Sequence, residues 1–340
     1  VDLFGRIRRS VESARASYEA SIEDYRDVLV VLYAEVALQY VEIRTLQERI
    51  RLAEKNVELQ GETLQLTRDR NAAGLVGDLD VRQAELNLAT TEAFIPVLRT
   101  SLAEAIHRVG VLLGELPSTL YAEFADPARI PAPPEEIMIG LPTNLLRQRP
   151  DIRSAERALA AQTAKIGVAT ADLYPRLALL GTFEFQALRG HDLIKGSSGA
   201  YAYGPSIQWN IFDGGRIRNR IRAEDARTEG ALALYENTVL RAFEEVENAI
   251  VSYVQESDRR DALARSVVAA REAVELVDTL YRTGLTDFQN VLDTQRSLFA
   301  QEDELARSEG FVTQGLIRIY KALGGGWSPP TPTPTPTTTP

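Results

Sequence analysis

The feature that most constrains this chain is that it repeats itself. Gly5-Arg6-Ile7-Arg8 recurs as Gly215-Arg216-Ile217-Arg218, a displacement of 210 residues. The same displacement carries Tyr25 onto Tyr235, Glu35-Val36 onto Glu245-Val246, and Gly74-Leu75 onto Gly284-Leu285. It also carries Val81 onto Val291 and Leu113-Gly114 onto Leu323-Gly324. Before the first match, Asp2-Leu3-Phe4 meets Asn210-Ile211-Phe212, with Asp213 and Gly214 extra in the second copy. Two helices of similar composition would not keep one register with glycine at the same turns. The chain therefore folds as two copies of one supersecondary unit.

Each copy is written as a long helix, a turn and a shorter helix. From Arg6 to about Ala72 there is no proline and one interior glycine, Gly61. A helix of that length is a rod of roughly 100 Å. Leu29, Val36, Ile43, Ile50, Val57 and Leu64 recur every seven residues, the spacing of left-handed coiled-coil packing. A second row runs through Val31, Leu38, Leu52, Leu59 and Leu66, interrupted at Thr45. Two residues subtend about 200° of a helix, so the rows face nearly opposite ways. Two seams suit a sheet or closed ring of helices; a wide core-facing stripe in a bundle is the alternative.

Between the copies the character of the sequence changes. Residues 115–150 are proline-rich and read as a connector with little regular structure. Residues 151–173 read as an alanine-rich helix, with Asp151 beside Pro150 as its start signal. Over 174–212 the period falls to two. Leu177, Leu179, Gly181, Phe183 and Phe185 share one face, with Thr182, Glu184 and Gln186 on the other. Tyr201, Tyr203, Ile207, Trp209 and Ile211 alternate with Ala202, Gly204, Ser206, Gln208 and Asn210. Each segment is long enough to cross a bilayer as a tilted strand, with apolar residues outward and polar residues inward. A soluble hairpin with one buried face has the same alternation. Residues 189–199 suit an exposed loop, and 325–340, ending in a Thr-Pro tract, a disordered tail.

Composition removes several functions. The chain has no cysteine and two histidines, His107 and His191, which disfavours thiol chemistry, cysteine-bound zinc and a serine–histidine triad. A net charge of −10 without a Lys/Arg block argues against nucleic-acid binding. No run of about 18 apolar residues offers a transmembrane helix. No catalytic, metal or cofactor constellation is visible. A two-stranded hairpin cannot close in lipid. Because Val1-Asp2-Leu3-Phe4 corresponds to the end of the second strand pair, residues 1–5 are expected to be the end of a lost strand, in a chain lacking its original N-terminus.

Several motifs together resemble the TolC-like outer-membrane efflux channels, in the NodT-type branch that serves RND pumps. They are Leu3-Phe4-Gly5-Arg6, Gly140-Leu141-Pro142, Leu145-Leu146, Arg149-Pro150-Asp151-Ile152, Tyr174-Pro175, Tyr281-Arg282-Thr283-Gly284-Leu285, Leu292-Asp293-Thr294-Gln295-Arg296-Ser297-Leu298 and Tyr320–Trp327. The resemblance covers nearly all of the chain except the Thr-Pro tail. It implies a mainly α fold with a β-barrel portion: a homotrimer in which coiled helices form a periplasmic α-barrel beneath a transmembrane β-barrel. It also implies residence in a Gram-negative outer membrane, often with a lipidated N-terminus, and passive export without a cofactor. The partners implied are a periplasmic adaptor, an inner-membrane RND transporter and outer-membrane lipid. Residues 6–114 and 213–324 become the two helical hairpins, with tips at 71–78 and 283–287.

The same resemblance assigns sites. Gly74, Leu75, Gly284 and Leu285 become the tips that meet the adaptor, where the residues alone suggest helix caps. Asp293 becomes one of three carboxylates around a narrowed entrance beside Tyr281, where the residue alone suggests a solvated aspartate. Asn290 stands at a second, usually acidic gate position, and Thr286 at the position of a lock arginine. Asp80 matches that arginine's acidic partner, so the familiar salt-bridge lock is missing, and Arg82 and Arg282 are the candidate replacements. Glu184 and Gln186 fall on the lumen face of their strand. The duct of a type I secretion system is a rival function, and a cytoplasmic coiled-coil scaffold a more distant one.

Overall fold

The computed structural model describes residues 2–134, 148–190, 196 and 199–325. The Gly140–Leu146 motif, His191, most of the 189–199 loop, Trp327 and the Thr-Pro tail lie outside the described residues. In chain order the elements are α1 (Arg6–Ala72), α2 (Asp78–Leu113), a short 3-10 turn (Thr119–Tyr121), α3 (Pro150–Ala171), β1 (Arg176–Phe185), β2 (Gly199–Gln208), α4 (Arg216–Arg282) and α5 (Phe288–Ala322). Helices α1 and α4 are each 67 residues long, and α2 and α5 are 36 and 35. No described helix is long and apolar enough to cross a membrane.

The repeat extends to its punctuation. Gly5 and Gly215 precede the long helices with φ of 79° and 84°. A carboxylate caps each start. Asp2 accepts the Arg8 N–H at 3.0 Å, and Asp213 accepts the Ile217 N–H at 2.7 Å. These backbone hydrogen bonds hold both carboxyls below their ordinary range. The sequence pairing set Asp2 opposite Asn210 and left Asp213 as an insertion, but Asp213 is the residue that performs the capping.

The chain divides into two compact units, 1–27 with 143–242, and 28–142 with 243–340. In the first, α3 packs on the start of α1: Ser13 Oγ donates to the Ala161 carbonyl at 2.8 Å, and Arg153 pairs with the buried Glu23. Asp172 at the end of α3 draws in Arg176 at 2.6 Å, with Arg6 and Arg220 at 3.5 Å. Strands β1 and β2 pair antiparallel, with Leu177 opposite Ile207, Leu179 opposite Pro205 and Phe183 opposite Tyr201. The pair ends earlier than its alternation suggests. Trp209, Ile211 and Phe212 lie past β2, where Trp209 Nε1 donates to the Leu173 carbonyl at 3.0 Å.

In the second unit Ile43, Leu46 and Ala53 of α1 pack with Leu98, Ala105, Ile106 and Val109 of α2 and Leu120 of the connector. The connector is held by its carbonyls: Gln47 donates to Phe124 O, Arg44 to Asp126 O and Thr313 to Pro131 O. His107, which had no role in the sequence, is 2.8 Å from Tyr121 Oη. The interruption at Thr45 also has a cause. A Cβ on Gly310 would lie 2.3 Å from Thr45 Oγ1, so α5 approaches α1 here with only the small Thr45 side chain between them. Further along, the seam turns polar. Asn56 and Arg271 both bond the buried Glu302, and Gln295 donates to Thr63 Oγ1 at 2.8 Å.

Candidate functional site: two helical tips and a strand pair

Both long helices end in the same backbone device. At the first tip Gly74 (φ 72°) donates to Asn71 O and Leu75 to Arg70 O. At the second, Gly284 (φ 76°) donates to Tyr281 O and Leu285 to Leu280 O. This is the Schellman ending, in which a left-handed residue folds the chain back onto the last free carbonyls. It leaves Leu75 67% and Leu285 75% exposed, a pair of apolar side chains displayed at two turns.

Behind the tips Leu64, Ala84, Tyr281, Phe288, Val291 and Leu292 form one apolar cluster. Tyr281 is therefore sealed, at 1% exposure, and lines no surface of the single chain. Asp293 is exposed and accepts a hydrogen bond from Gln289 at 3.0 Å. Asn290, also exposed, donates to Thr286 Oγ1 at 2.9 Å. Asp80 is half-buried in the first turn of α2. The two candidate lock replacements are engaged locally: Arg82 with Glu85 and Arg282 with Asp278, each on its own helix.

At the tips themselves, Arg70 is a residue that crosses between the hairpins and that the sequence pattern does not single out. Arg70 of α1 lays its guanidinium 4.5 Å from the centre of the Tyr281 ring and donates to the Tyr281 carbonyl. A signal for it existed in the repeat, since its counterpart 210 residues on is Leu280.

On the strand pair the side chains of β1 and β2 are largely exposed. Leu177, Leu179 and Phe183 lie opposite Ile207, Pro205 and Tyr201, while Thr182 and Glu184 lie opposite Ala202 and Ala200. Gln186 falls one residue past β1 and donates to Glu184.

The family of outer membrane efflux proteins matches residues 1–115 and 141–325. The chain belongs to that family. Nodulation protein T of Rhizobium leguminosarum bv. trifolii is 32% identical to it over 96% of this chain and 70% of that protein. Outer membrane protein OprJ of Pseudomonas aeruginosa is 31% identical over 96% and 68%. Among solved structures, the outer-membrane channel OprN superposes with a TM-score of 0.91 at 43% identity, covering 96% of this chain and 74% of that one. CusC superposes with a TM-score of 0.86 at 28% identity, over 96% and 75%. The fold is that of the TolC-like channels, helical barrel and β-barrel combined, and this efflux protein is an exit duct of the Gram-negative outer membrane with a periplasmic extension. A cytoplasmic scaffold is thereby set aside. Its family is one of channels rather than of enzymes.

Proposed function

We propose that three copies of this efflux protein assemble into one duct that receives small molecules from an inner-membrane RND transporter through a periplasmic adaptor. The adaptor meets Gly74, Leu75, Gly284 and Leu285. The observation that carries this reading is the pair of matching turns, each presenting an exposed leucine on a backbone stiffened by its own hydrogen bonds. Apolar side chains displayed in this way favour a partner that removes them from water. A partner's short helical turns fit such tips without rearranging either helix.

Assembly of like copies is supported by large apolar side chains on the long helices that stay exposed in the single chain. On α1, Val11, Tyr18 and Tyr25 recur every seven residues and are 60–66% exposed. On α4, Leu234, Leu240, Val251, Val268 and Leu276 are 55–68% exposed. The strand pair has free edges, and neighbouring strands must satisfy them in lipid. In this arrangement 174–212 cross the membrane, Glu184 and Gln186 face the lumen, and 115–150 form an equatorial connector. Asp293 and Asn290 line the periplasmic entrance, Asp80 stands near it, and Tyr281 supports it from the core. Transport is passive, with energy supplied by the inner-membrane transporter.

The test is photo-cross-linking from residue 75 and from residue 285 in cells that express the full-length channel with its pump. Cross-links from both positions to a periplasmic adaptor are expected. Cross-linking from positions along the helix shafts with none from the tips would overturn the docking assignment.

A further inference from the structure

We infer that Arg70 is a positioning residue of the gate, holding the second tip in its closed place by clasping the end of α4. The inference rests on the proposed reading of Asp293 and its neighbours as the periplasmic entrance. The usual arginine position is Thr286, and within one chain Arg82 and Arg282 are each paired along their own helices. Among the described residues, Arg70 is the cation that reaches from one tip to the other.

Three attractions converge on its guanidinium. The ring face of Tyr281, 4.5 Å from guanidinium to ring centre, is the negative face of an aromatic quadrupole. The Tyr281 carbonyl belongs to the last turn of α4, where the helix dipole places partial negative charge. That carbonyl already accepts the Gly284 N–H at 3.0 Å, and Arg70 supplies a second, charge-assisted donor. The guanidinium also reaches the glycine itself: a Cβ on Gly284 would lie 3.8 Å from Arg70 Nη2. Arg70 also stands at the position whose carbonyl accepts the Leu75 N–H. One residue therefore belongs to both turns.

The two tips depend on it unequally. The first is stapled within itself, because Asn71 Nδ2 donates to Val76 O at 3.0 Å and to Asp78 Oδ1 at 3.1 Å. Arg68 and Glu85 also tie α1 to α2 at 2.9 Å. At the second tip the residue corresponding to Asn71 is Tyr281, which has no side-chain hydrogen bond of its own and is held by Arg70. Release of the clasp frees the end of α4 and the start of α5, which carries Asn290 and Asp293, while the first hairpin stays in place.

The experiment uses the full-length channel with Arg70→Ala and Arg70→Lys. Two measurements are made on each: hydrogen exchange across both tips, and single-channel conductance in planar bilayers. Arg70→Ala is expected to speed exchange at 277–288 but not at 71–78, and to raise the open fraction about ten-fold. Arg70→Lys keeps the charge, loses the planar stack, and is expected to fall between Ala and the parent. Both should yield trimers of unchanged heat stability. Where the Ala variant does not assemble, the Lys variant alone must show the partial effect. Exchange that is unchanged, or that rises equally at both tips, would overturn the clasp. Faster exchange at the second tip with unchanged conductance would overturn its hold on the gate. The entrance itself is tested apart from this by Asp293→Asn. Altered ion selectivity there, with silent Arg70 variants, would leave the gate reading standing and remove the clasp alone.

Discussion

The two tips share a backbone and differ in what secures it. Both end in a left-handed glycine followed by an exposed leucine, with the same pair of hydrogen bonds closing the turn. The first is fastened by its own Asn71 and by an ion pair between its two helices. The second borrows its fastening from Arg70. The two copies of the unit therefore share the exposed turn and differ in its anchorage. On the proposed reading, two docking points are alike while only one of them is free to move.

The acidic residues sharpen the contrast. Asp80 and Gln83 on the first short helix correspond to Asn290 and Asp293 on the second. At these positions each hairpin carries one carboxylate, displaced by a single turn. Asp80 is half-buried, whereas Asp293 is exposed.

The largest effect is expected from charging both tips. Leu75→Asp combined with Leu285→Asp should abolish efflux while trimers still form, since the helix seams are untouched. Drug-susceptibility assays and native gels check this, and full resistance in the double variant would refute equivalent docking by the two turns. Next comes Asp293→Asn, which should remove most of the preference for cations and most of the block by multivalent cations, because a ring of like charge focuses the field in a narrow throat. Asp80→Asn should do much less; equal effects in single-channel recordings would erase the distinction between the hairpins.

Smaller effects probe the backbone. Gly74→Ala and Gly284→Ala should each destabilise their tip by about 1–2 kcal/mol, the cost of a left-handed residue with a Cβ. Neither added Cβ meets a steric obstacle. Local exchange rates should therefore show matched costs, and a large mismatch would mean that the turns are not equivalent. The smallest expected change is Asn71→Ala, at about 0.5–1.5 kcal/mol for the lost hydrogen bonding, confined to the first tip. Loosening of the second tip by that variant would show the two fastenings to be coupled.

Helix extents, turn positions and exposed leucines were legible because they follow from glycine spacing and hydrophobic period, which are local properties. The strand ends were overdrawn for the same reason. Trp209 and Ile211 keep the period of two after pairing stops at Gln208, and Trp209 turns instead to the Leu173 carbonyl. Arg70 escaped notice because a basic residue in a last helical turn already has an ordinary explanation in the helix dipole. Only the fold brings it to Tyr281, which is 211 positions away along the chain. Thr45 likewise looked like a flaw in a row of apolar residues until Gly310 supplied the neighbour that needs a small contact there.

The polar stretch of the seam, where Asn56 and Arg271 meet Glu302 and Thr63 meets Gln295, has a mechanical consequence. Greasy surfaces can glide past one another by small steps at little cost, but directional bonds to a buried carboxylate admit one alignment and penalise its neighbours. The seam thus acts as an index pin. At the pin the helices are held against sliding; beyond it, towards the tips, they meet through the apolar cluster of Leu64, Tyr281, Phe288 and Leu292, and the polar ties there lie at the turns themselves. On the proposed reading of the tips as an entrance, bending that widens it is expected in the short span past the pin, and the length of that span is expected to limit the opening.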